Sequence, residues 1–112
     1  MLPESSIQRQ AEIFSVLGDR TRLRLVTSLM EGQIRSISDL SSDFEVSRQA
    51  VTKHLKLLQS VGVLIDEKAG RETRYRLNVE PLIETREMIE SIENQWAQNL
   101  GRLKSFVENE SP

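Results

Sequence analysis

The sequence contains no cysteine, and only one histidine, one tryptophan and one tyrosine occur among its 112 residues. Without cysteine the chain can form no disulfide, thiolate metal site or cysteine nucleophile. A single histidine builds neither a metal site nor a catalytic pair on its own. There is also no glycine-rich phosphate loop and no distinctive pair of carboxylates. We therefore predict that the protein is not an enzyme and that it uses no metal or other cofactor.

Long apolar runs are missing as well. No segment approaches the ~18 consecutive apolar residues that suggest a membrane span, and the first ten residues, MLPESSIQRQ, lack the features of a secretion signal. We expect a cytoplasmic protein with no membrane partner. The content of 38% hydrophobic and 29% charged residues is typical of a soluble globular protein, and the length suits one domain, residues 1–112.

Negative charge is absent from one helix-length stretch of this acidic chain. The net charge is −2, yet the segment VSRQAVTKHLKLLQSVGVL, Val46 to Leu64, contains no aspartate or glutamate. Residues 47–76 carry seven basic and three acidic side chains, whereas acids outnumber bases on both sides of that block. Because affinity for a polyanion depends on where cations cluster, this partition indicates a nucleic-acid-binding face.

Apolar periodicity predicts two helices in the first third of the chain. The first covers 5–17 and carries a stripe formed by Ile7, Ala11 and Phe14, before Gly18 ends it. The second follows a cap at Asp19 and stops at Gly32. Its apolar side is predicted to contain Leu23, Val26 and Met30, widened by Leu25 and Leu29.

Two shorter helices follow, each with a recognisable N-cap. Ser36, with Asp39 three residues later, resembles a capping box before the segment LSSDF. Ser47 caps the next helix, which runs to about Val61. On that fourth helix Val51, Leu55 and Leu58 recur at helical spacing and are predicted to face the core.

Beyond Gly62 the pattern changes to a β-hairpin and then to a long helix. Two strand-like segments, VLIDEKA and ETRYRLN, flank Gly70 and Arg71. The last helix, residues 80–109, has more apolar surface than a small domain needs, so we predict that it forms a subunit interface. The predicted interface, shared with the first helix, comprises Ile7, Ala11, Phe14, Ile89, Ile92, Trp96, Leu100 and Leu103.

Trp96 has a second interpretation, because a tryptophan could also line an effector pocket. A large aromatic residue on a sevenfold apolar row is more often an interface anchor. The order of elements predicts a mainly α fold with a small β-hairpin, a winged helix-turn-helix (α-α-α-α-β-β-α) that dimerises through its first and last helices.

One arc of the fourth helix has the composition of a DNA-recognition surface. Arg48, Gln49 and Thr52 lie near its N-terminus and are predicted to contact base edges. Lys53 and Lys56 suit phosphate oxygens. The same surface includes the cap residue Ser47 and also His54, which is either a packing residue or a phosphate contact. The alternative for the charged residues is an ordinary solvated helix face.

The hairpin adds further cations. Arg71 at its tip and Arg74 are predicted to reach DNA, and the sequence leaves the role of Arg76 undecided. The alternative is that these arginines protect the edge of the sheet against aggregation.

Together these segments resemble the ArsR/SmtB family of bacterial winged-helix repressors. The resemblance covers nearly the whole chain and is carried by LGDRTRLRLVTSL, SISDL, SRQAVTKHLKLLQSVGVL and GRETRYRL. It implies a homodimer that binds operator DNA. Many members release DNA when a metal binds cysteines in the third helix or a histidine and carboxylate site in the last helix. Here Ser36 and Ser38 stand in place of those cysteines, and the last helix has no histidine.

The resemblance is therefore to the cysteine-free branch of the family, which includes autorepressors with no recognised inducer. We predict a homodimeric repressor of its own or a neighbouring operon, with double-stranded operator DNA and a second copy of itself as partners. Whether it has a small-molecule effector is not determined by the sequence. The alternative function is a protein-interaction module whose basic face docks an acidic partner.

Overall fold

A computed structural model of the protein describes residues 2–32 and 34–110. The elements in these residues are α1 (Glu4–Leu17), α2 (Arg20–Ser28), β1 (Arg35–Ser36), α3 (Ile37–Phe44), α4 (Arg48–Ser60), β2 (Leu64–Ala69), β3 (Glu72–Leu77) and α5 (Glu80–Glu110). The predicted succession of four helices, a hairpin and a long helix is confirmed. The chain divides into two compact units, Met1–Leu82 and Ile83–Pro112. That residues 1–112 act as one domain stays a prediction.

The core of the first unit is built around α4, which packs against α1, α2, α3 and β2. Val51, Leu55 and Leu58 on α4 are completely buried, as their spacing predicts. They meet apolar side chains from each neighbouring element, among them Ile13, Leu25, Leu29, Leu40 and Val63. Because one face of α4 is fixed in this way, its opposite face is held towards solvent.

Helices α1 and α2 use other apolar faces than the simplest periodicity suggests. Helix α1 buries Ile13 and Val16, whereas Ile7 and Phe14 of the predicted stripe are exposed. Helix α2 ends at Ser28, before the predicted stop at Gly32. Leu23 and Met30 were predicted on its apolar side but are exposed, Met30 by 70%.

The N-termini of α3 and α4 are each held by a side-chain cap. Ser36 and Asp39 form the predicted capping box, in which each side chain accepts a hydrogen bond from the other residue's backbone N–H. Ser47 caps α4 by accepting from the N–H of Ala50 at 3.1 Å. Between them Glu45 adopts a left-handed conformation with φ of 52°. The N–H of Val46 donates to the carbonyl of Ser41, as in a Schellman motif.

Glycine is the residue best suited to the conformation of Glu45, which is solvent-exposed. We expect Glu45→Gly to raise the free energy of unfolding by about 0.5–1 kcal/mol, because it removes the steric penalty of a Cβ at positive φ. Urea unfolding at a fixed protein concentration should show a higher midpoint with an unchanged m-value. Glu45→Ala is the control, since it removes the charge but keeps the Cβ. An equal gain for both variants would attribute the effect to charge and contradict the conformational explanation.

The sheet is three-stranded and antiparallel, in the order β1-β3-β2. The hairpin pairs Leu64 with Leu77 and Ala69 with Glu72, so that Gly70 and Arg71 form a two-residue tip. Gly70 has φ of 66°, a value that a type II′ turn requires at this position. The third strand, β1, was not predicted; Arg35 and Ser36 pair with Tyr75 and Arg74 on β3.

The second unit consists of the greater part of α5. The helix covers Glu80–Glu110, close to the predicted 80–109. Its apolar side chains are largely exposed in the single chain, including Ile89, Ile92, Trp96, Leu100, Leu103 and Phe106. Across the described part of the chain, no helix combines the length and apolar character needed to cross a membrane.

Candidate nucleic-acid interface

The outward face of α4 borders an open groove of about 600 Å³. We call it the α4 groove. It brings together six of the residues that the sequence predicts for DNA contact, and Ala50 completes its lining; these residues are Ser47, Arg48, Gln49, Thr52, Lys53 and Lys56. Their convergence follows from helical geometry, because positions three and four residues apart share a face. Of the other predicted residues, His54 faces α2, and Arg71 and Arg74 lie on the hairpin.

Two hydroxyls in the groove are already oriented by backbone groups. The Ser47 oxygen accepts from the Ala50 N–H, which leaves its own proton available for an oxygen acceptor such as a phosphate. The Thr52 hydroxyl donates to the Arg48 carbonyl at 2.7 Å. Its oxygen can therefore accept a hydrogen bond from a base amino group without rotating, whereas a phosphate contact would require rotation.

In the part of the chain that the structure describes, no ion pair neutralises the cations of the groove. In the described residues, no carboxylate forms an ion pair with Arg48, Lys53 or Lys56. Other basic side chains are paired, for example Arg35 with Asp43. An unpaired, exposed cation keeps its full attraction for an external anion, so the groove presents a positive surface.

The hairpin arginines differ from one another in whether a carboxylate is paired with them. Arg74 contacts Glu72 at 3.3 Å, and Arg76 contacts Glu67 at 2.6 Å. Arg71, at the tip, is exposed and has no ion pair within the described ranges. To bind an external anion, Arg74 or Arg76 would first have to break its ion pair with a glutamate. Arg71 has no such ion pair to break. Arg71 is therefore the hairpin cation best prepared for an external phosphate.

His54 belongs to a polar link between α2 and α4. Its Nδ1 lies 3.3 Å from Nη1 of Arg22, and because arginine can only donate, Nδ1 is the acceptor. The Nε of Arg22 donates to the Val16 carbonyl at 2.6 Å. Arg22 thus connects the end of α1 with α4. The same His54 nitrogen lies 3.9 Å from Asp19, the N-cap of α2.

The cap of α2 lowers the pKa of Asp19. The N–H of Arg22 donates to its carboxylate at 3.0 Å, and this hydrogen bond is the main reason that the pKa of Asp19 lies below its ordinary value. Burial is the next largest effect and opposes this shift, while the charge of Arg22, and that of His54 in its protonated form, add smaller effects that lower the pKa. The resulting stabilisation is present above the ordinary pKa and is lost as pH falls through the lowered one.

Sequence reasoning missed Arg22, although it identified the helix that carries it. Arg22 and His54 are 32 positions apart, and no local spacing predicts their contact. A second such contact places the guanidinium of Arg24 4.9 Å from the centre of the Phe44 ring, which ties α2 to α3. Both contacts arise only when the helices pack.

Comparison with known proteins identifies the family. Residues 19–66 match the model of the bacterial regulatory protein, arsR family. The arsenic resistance transcriptional regulator ArsR2 of Pseudomonas putida is 34% identical over 102 residues, which cover 85% of this chain and 86% of the relative. The chain belongs to the ArsR family. The family membership predicted from sequence is thereby confirmed.

Two further relatives define the extent of the similarity. An ArsR-like transcriptional regulator from Rhodococcus sp. RHA1 superposes with a TM-score of 0.83 at 35% identity, covering 91% of this ArsR-family chain and 95% of the other. The predicted winged-helix fold is confirmed by this match. The arsenical resistance operon repressor of Escherichia coli is 36% identical over 67 residues, 60% of this chain. The match spans only 57% of that repressor's length.

The metal site that some ArsR-family members have in the third helix does not fit the residues found here. The Ser36 hydroxyl and the Asp39 carboxylate are both engaged in the capping box of α3. A serine oxygen is also a poor ligand for the soft metals that thiolates bind. Within the described residues, no group of three or more histidine, aspartate or glutamate side chains is arranged to hold a metal ion.

Proposed function

We propose that this ArsR-family protein is a homodimeric, sequence-specific DNA-binding repressor of its own or a neighbouring operon, and that it works without metal sensing. The observation that carries the proposal is the α4 groove, where exposed cations that pair with no acid among the described residues surround side chains suited to base edges. The relatives support repression, since one of them is named an operon repressor. In this proposal the protein is cytoplasmic and has no catalytic activity.

The proposed mechanism assigns separate roles to the residues around the groove. Arg48 and Gln49 hydrogen-bond base edges in the major groove, and Thr52 accepts from a base amino group. Lys53, Lys56 and Arg71 neutralise phosphates, and Ser47 donates to one. His54 and Arg74 were also predicted to contact DNA. We propose that His54 acts indirectly, through its hydrogen bond with Arg22. Arg74 contacts DNA once it has given up its ion pair with Glu72.

The proposed dimer uses two exposed apolar faces, one on α1 and one on α5. On α1 the face is formed by Ile7, Ala11 and Phe14. On α5 it comprises Ile89, Ile92, Trp96, Leu100 and Leu103, all more than two fifths exposed in the single chain. So much contiguous apolar surface on a soluble protein indicates an association site. Repression then follows when two α4 helices occupy successive major grooves and exclude polymerase from the promoter.

Footprinting of the purified protein on the DNA upstream of its own gene tests this function. We expect two protected half-sites whose centres are separated by about 10–10.5 base pairs or a multiple of that distance. Protection would also establish self-regulation. If no upstream fragment is protected at low salt, selection from a random duplex library gives a second test. Failure to enrich any sequence there would favour the alternative function, docking of an acidic protein.

The dependence of DNA affinity on salt is the corresponding quantitative prediction. If Lys53, Lys56 and Arg71 each neutralise one phosphate per protomer, the logarithm of the affinity should fall with the logarithm of salt concentration with a slope of about −5. Lys53→Gln should reduce the magnitude of that slope by about two, since the dimer loses two contacts. The measurement is a fluorescence-anisotropy titration at several salt concentrations.

Lys104→Gln is the matched control for this slope. Lys104 is an exposed lysine on α5 that contacts Glu108, far along the sequence from the α4 groove. The substitution removes the same charge, but the slope should stay unchanged. An equal reduction for both variants would indicate that only net charge matters, and would contradict the assignment of Lys53 to a phosphate.

A further inference from the structure

A second pocket adjoins the α4 groove, on the side of α4 that faces α2. Its volume is about 550 Å³, and we call it the α2–α4 pocket. It is lined by Arg22, Ala50, Lys53, His54, Lys56 and Leu57. Three of these residues are basic and none is an acid, although the Asp19 carboxylate lies 3.9 Å from Nδ1 of His54. The pocket therefore favours an anionic occupant.

The cationic side of the α2–α4 pocket is partly pre-organised. Arg22 is held at both ends of its guanidinium group by the Val16 carbonyl and by Nδ1 of His54. Because Nδ1 accepts from Arg22, the proton of the neutral imidazole is on Nε2. A fixed guanidinium loses little conformational freedom when an anion binds, and its remaining N–H groups, chiefly those of Nη2, can donate to a carboxylate oxygen.

The other side of the pocket is apolar and remains partly exposed. Leu57 is 43% exposed, although it lies between residues of a well-packed helix, and Ala50 adds a methyl group. A phosphodiester of DNA has no group to place against a leucine side chain. An organic anion with a short hydrocarbon body would use both sides, with its carboxylate on Arg22 and Lys53 and its hydrocarbon on Leu57.

We propose that the α2–α4 pocket binds a small organic carboxylate and that its occupancy releases DNA. The inference rests on the proposed function. Ala50, Lys53 and Lys56 line both the α2–α4 pocket and the α4 groove. An anion that neutralises the two lysines from one side removes charge that the DNA phosphates need on the other. By linkage, bound DNA must weaken the anion to the same extent.

His54 provides a direct probe of the pocket, because it is the only histidine in the chain. Sodium hexanoate is titrated into the full-length protein without DNA, and the imidazole resonances are followed by ¹H–¹⁵N NMR. We expect a saturable shift, with hexanoate binding at least about fivefold more tightly than hexanamide or inorganic phosphate. Equal binding of hexanamide would show that charge plays no part, and equal binding of phosphate would assign the pocket to DNA phosphates; either result overturns the proposal.

Leu57→Ser is the variant that separates the pocket from the groove. It should weaken hexanoate about fivefold by removing the apolar side, while affinity for DNA stays within about twofold. Leu23→Ser is the matched control, since Leu23 is an exposed leucine on α2 outside the pocket. Unchanged hexanoate binding in Leu57→Ser would overturn the proposal, as would a similar loss in both variants.

Competition between hexanoate and DNA tests the second part of the proposal, the release of DNA. Hexanoate at saturating concentration should raise the apparent Kd for the selected DNA site about tenfold, whereas hexanamide should not. No change in DNA affinity, despite saturation at His54, would overturn the inducer role. Because the NMR titration contains no DNA, a failure of DNA binding leaves the hexanoate result interpretable. The two proposals can therefore fail separately.

Discussion

Replacing Arg48 by alanine in the proposed repressor is expected to abolish most of its preference for the operator over other DNA. A bidentate contact to a base edge contributes about 1–3 kcal/mol of discrimination, and a symmetric dimer loses two of them. The expected loss of operator affinity is therefore about 2–6 kcal/mol, roughly 30-fold to 10⁴-fold. Non-specific affinity should change far less. Both are measured by anisotropy on the selected site and on a scrambled duplex at one salt concentration.

Arg48→Lys is the informative control for this prediction. Lysine keeps the charge, but it lacks the planar fork that allows two parallel hydrogen bonds to one base. We expect Arg48→Lys to retain nearly all non-specific affinity and still to lose operator preference. If Arg48→Lys behaves like the unmodified protein on both duplexes, Arg48 contacts a phosphate instead of a base. Gln49→Ala should show the same loss of preference with no change in the salt dependence.

A division among the basic residues underlies these expectations. Cations on the outer face of α4 and at the hairpin tip have no acidic partner in the described residues, whereas Arg35, Arg74 and Arg76 are each paired with a carboxylate. The acid-free segment from Val46 to Leu64 is the cause on α4, because no carboxylate lies within one turn of its lysines. The distribution of acids therefore decides which cations remain available to a polyanion.

Features that depend on neighbouring residues could be predicted from the sequence. The capping box of Ser36 and Asp39, the cap at Ser47 and the buried row of α4 all involve spacings of four residues or fewer. The grouping of six predicted contact residues around one groove follows from the same helical spacing. Which of them touch bases or phosphates stays a prediction.

Features that depend on distant residues were beyond sequence reasoning. Strand β1 is only two residues long and exists because Arg35 and Ser36 pair with β3 some forty positions later. The link from Arg22 to His54 requires α2 to pack on α4 first. Helix α2 ends at Ser28 although its apolar pattern continues to Met30. For β1 and for the link from Arg22 to His54, a tertiary contact, and not a local preference, determines the result.

Replacing Trp96 by glutamate is expected to convert the proposed dimer into monomers. Trp96 is 59% exposed in the single chain and lies on the apolar row of α5. Loss of a central aromatic anchor costs at least about 2 kcal/mol of association free energy. Because a twofold dimer contains two copies of Trp96, dimerisation should weaken by about a thousandfold or more. A buried, unpaired carboxylate at the same place adds to that cost. Sedimentation equilibrium measures the change.

Gln98→Glu is the matched control for the Trp96 variant. It introduces the same charge two residues further along α5, about 200° around the helix and away from the apolar row. This variant should remain dimeric, and both variants should keep their helical circular dichroism because both positions are exposed. The Trp96→Glu monomer should also bind operator DNA weakly, since it can occupy only one half-site at a time. A Trp96→Glu protein that is still dimeric at micromolar concentration would show that Trp96 is not an interface anchor. That result would favour the other interpretation of Trp96, as part of an effector pocket.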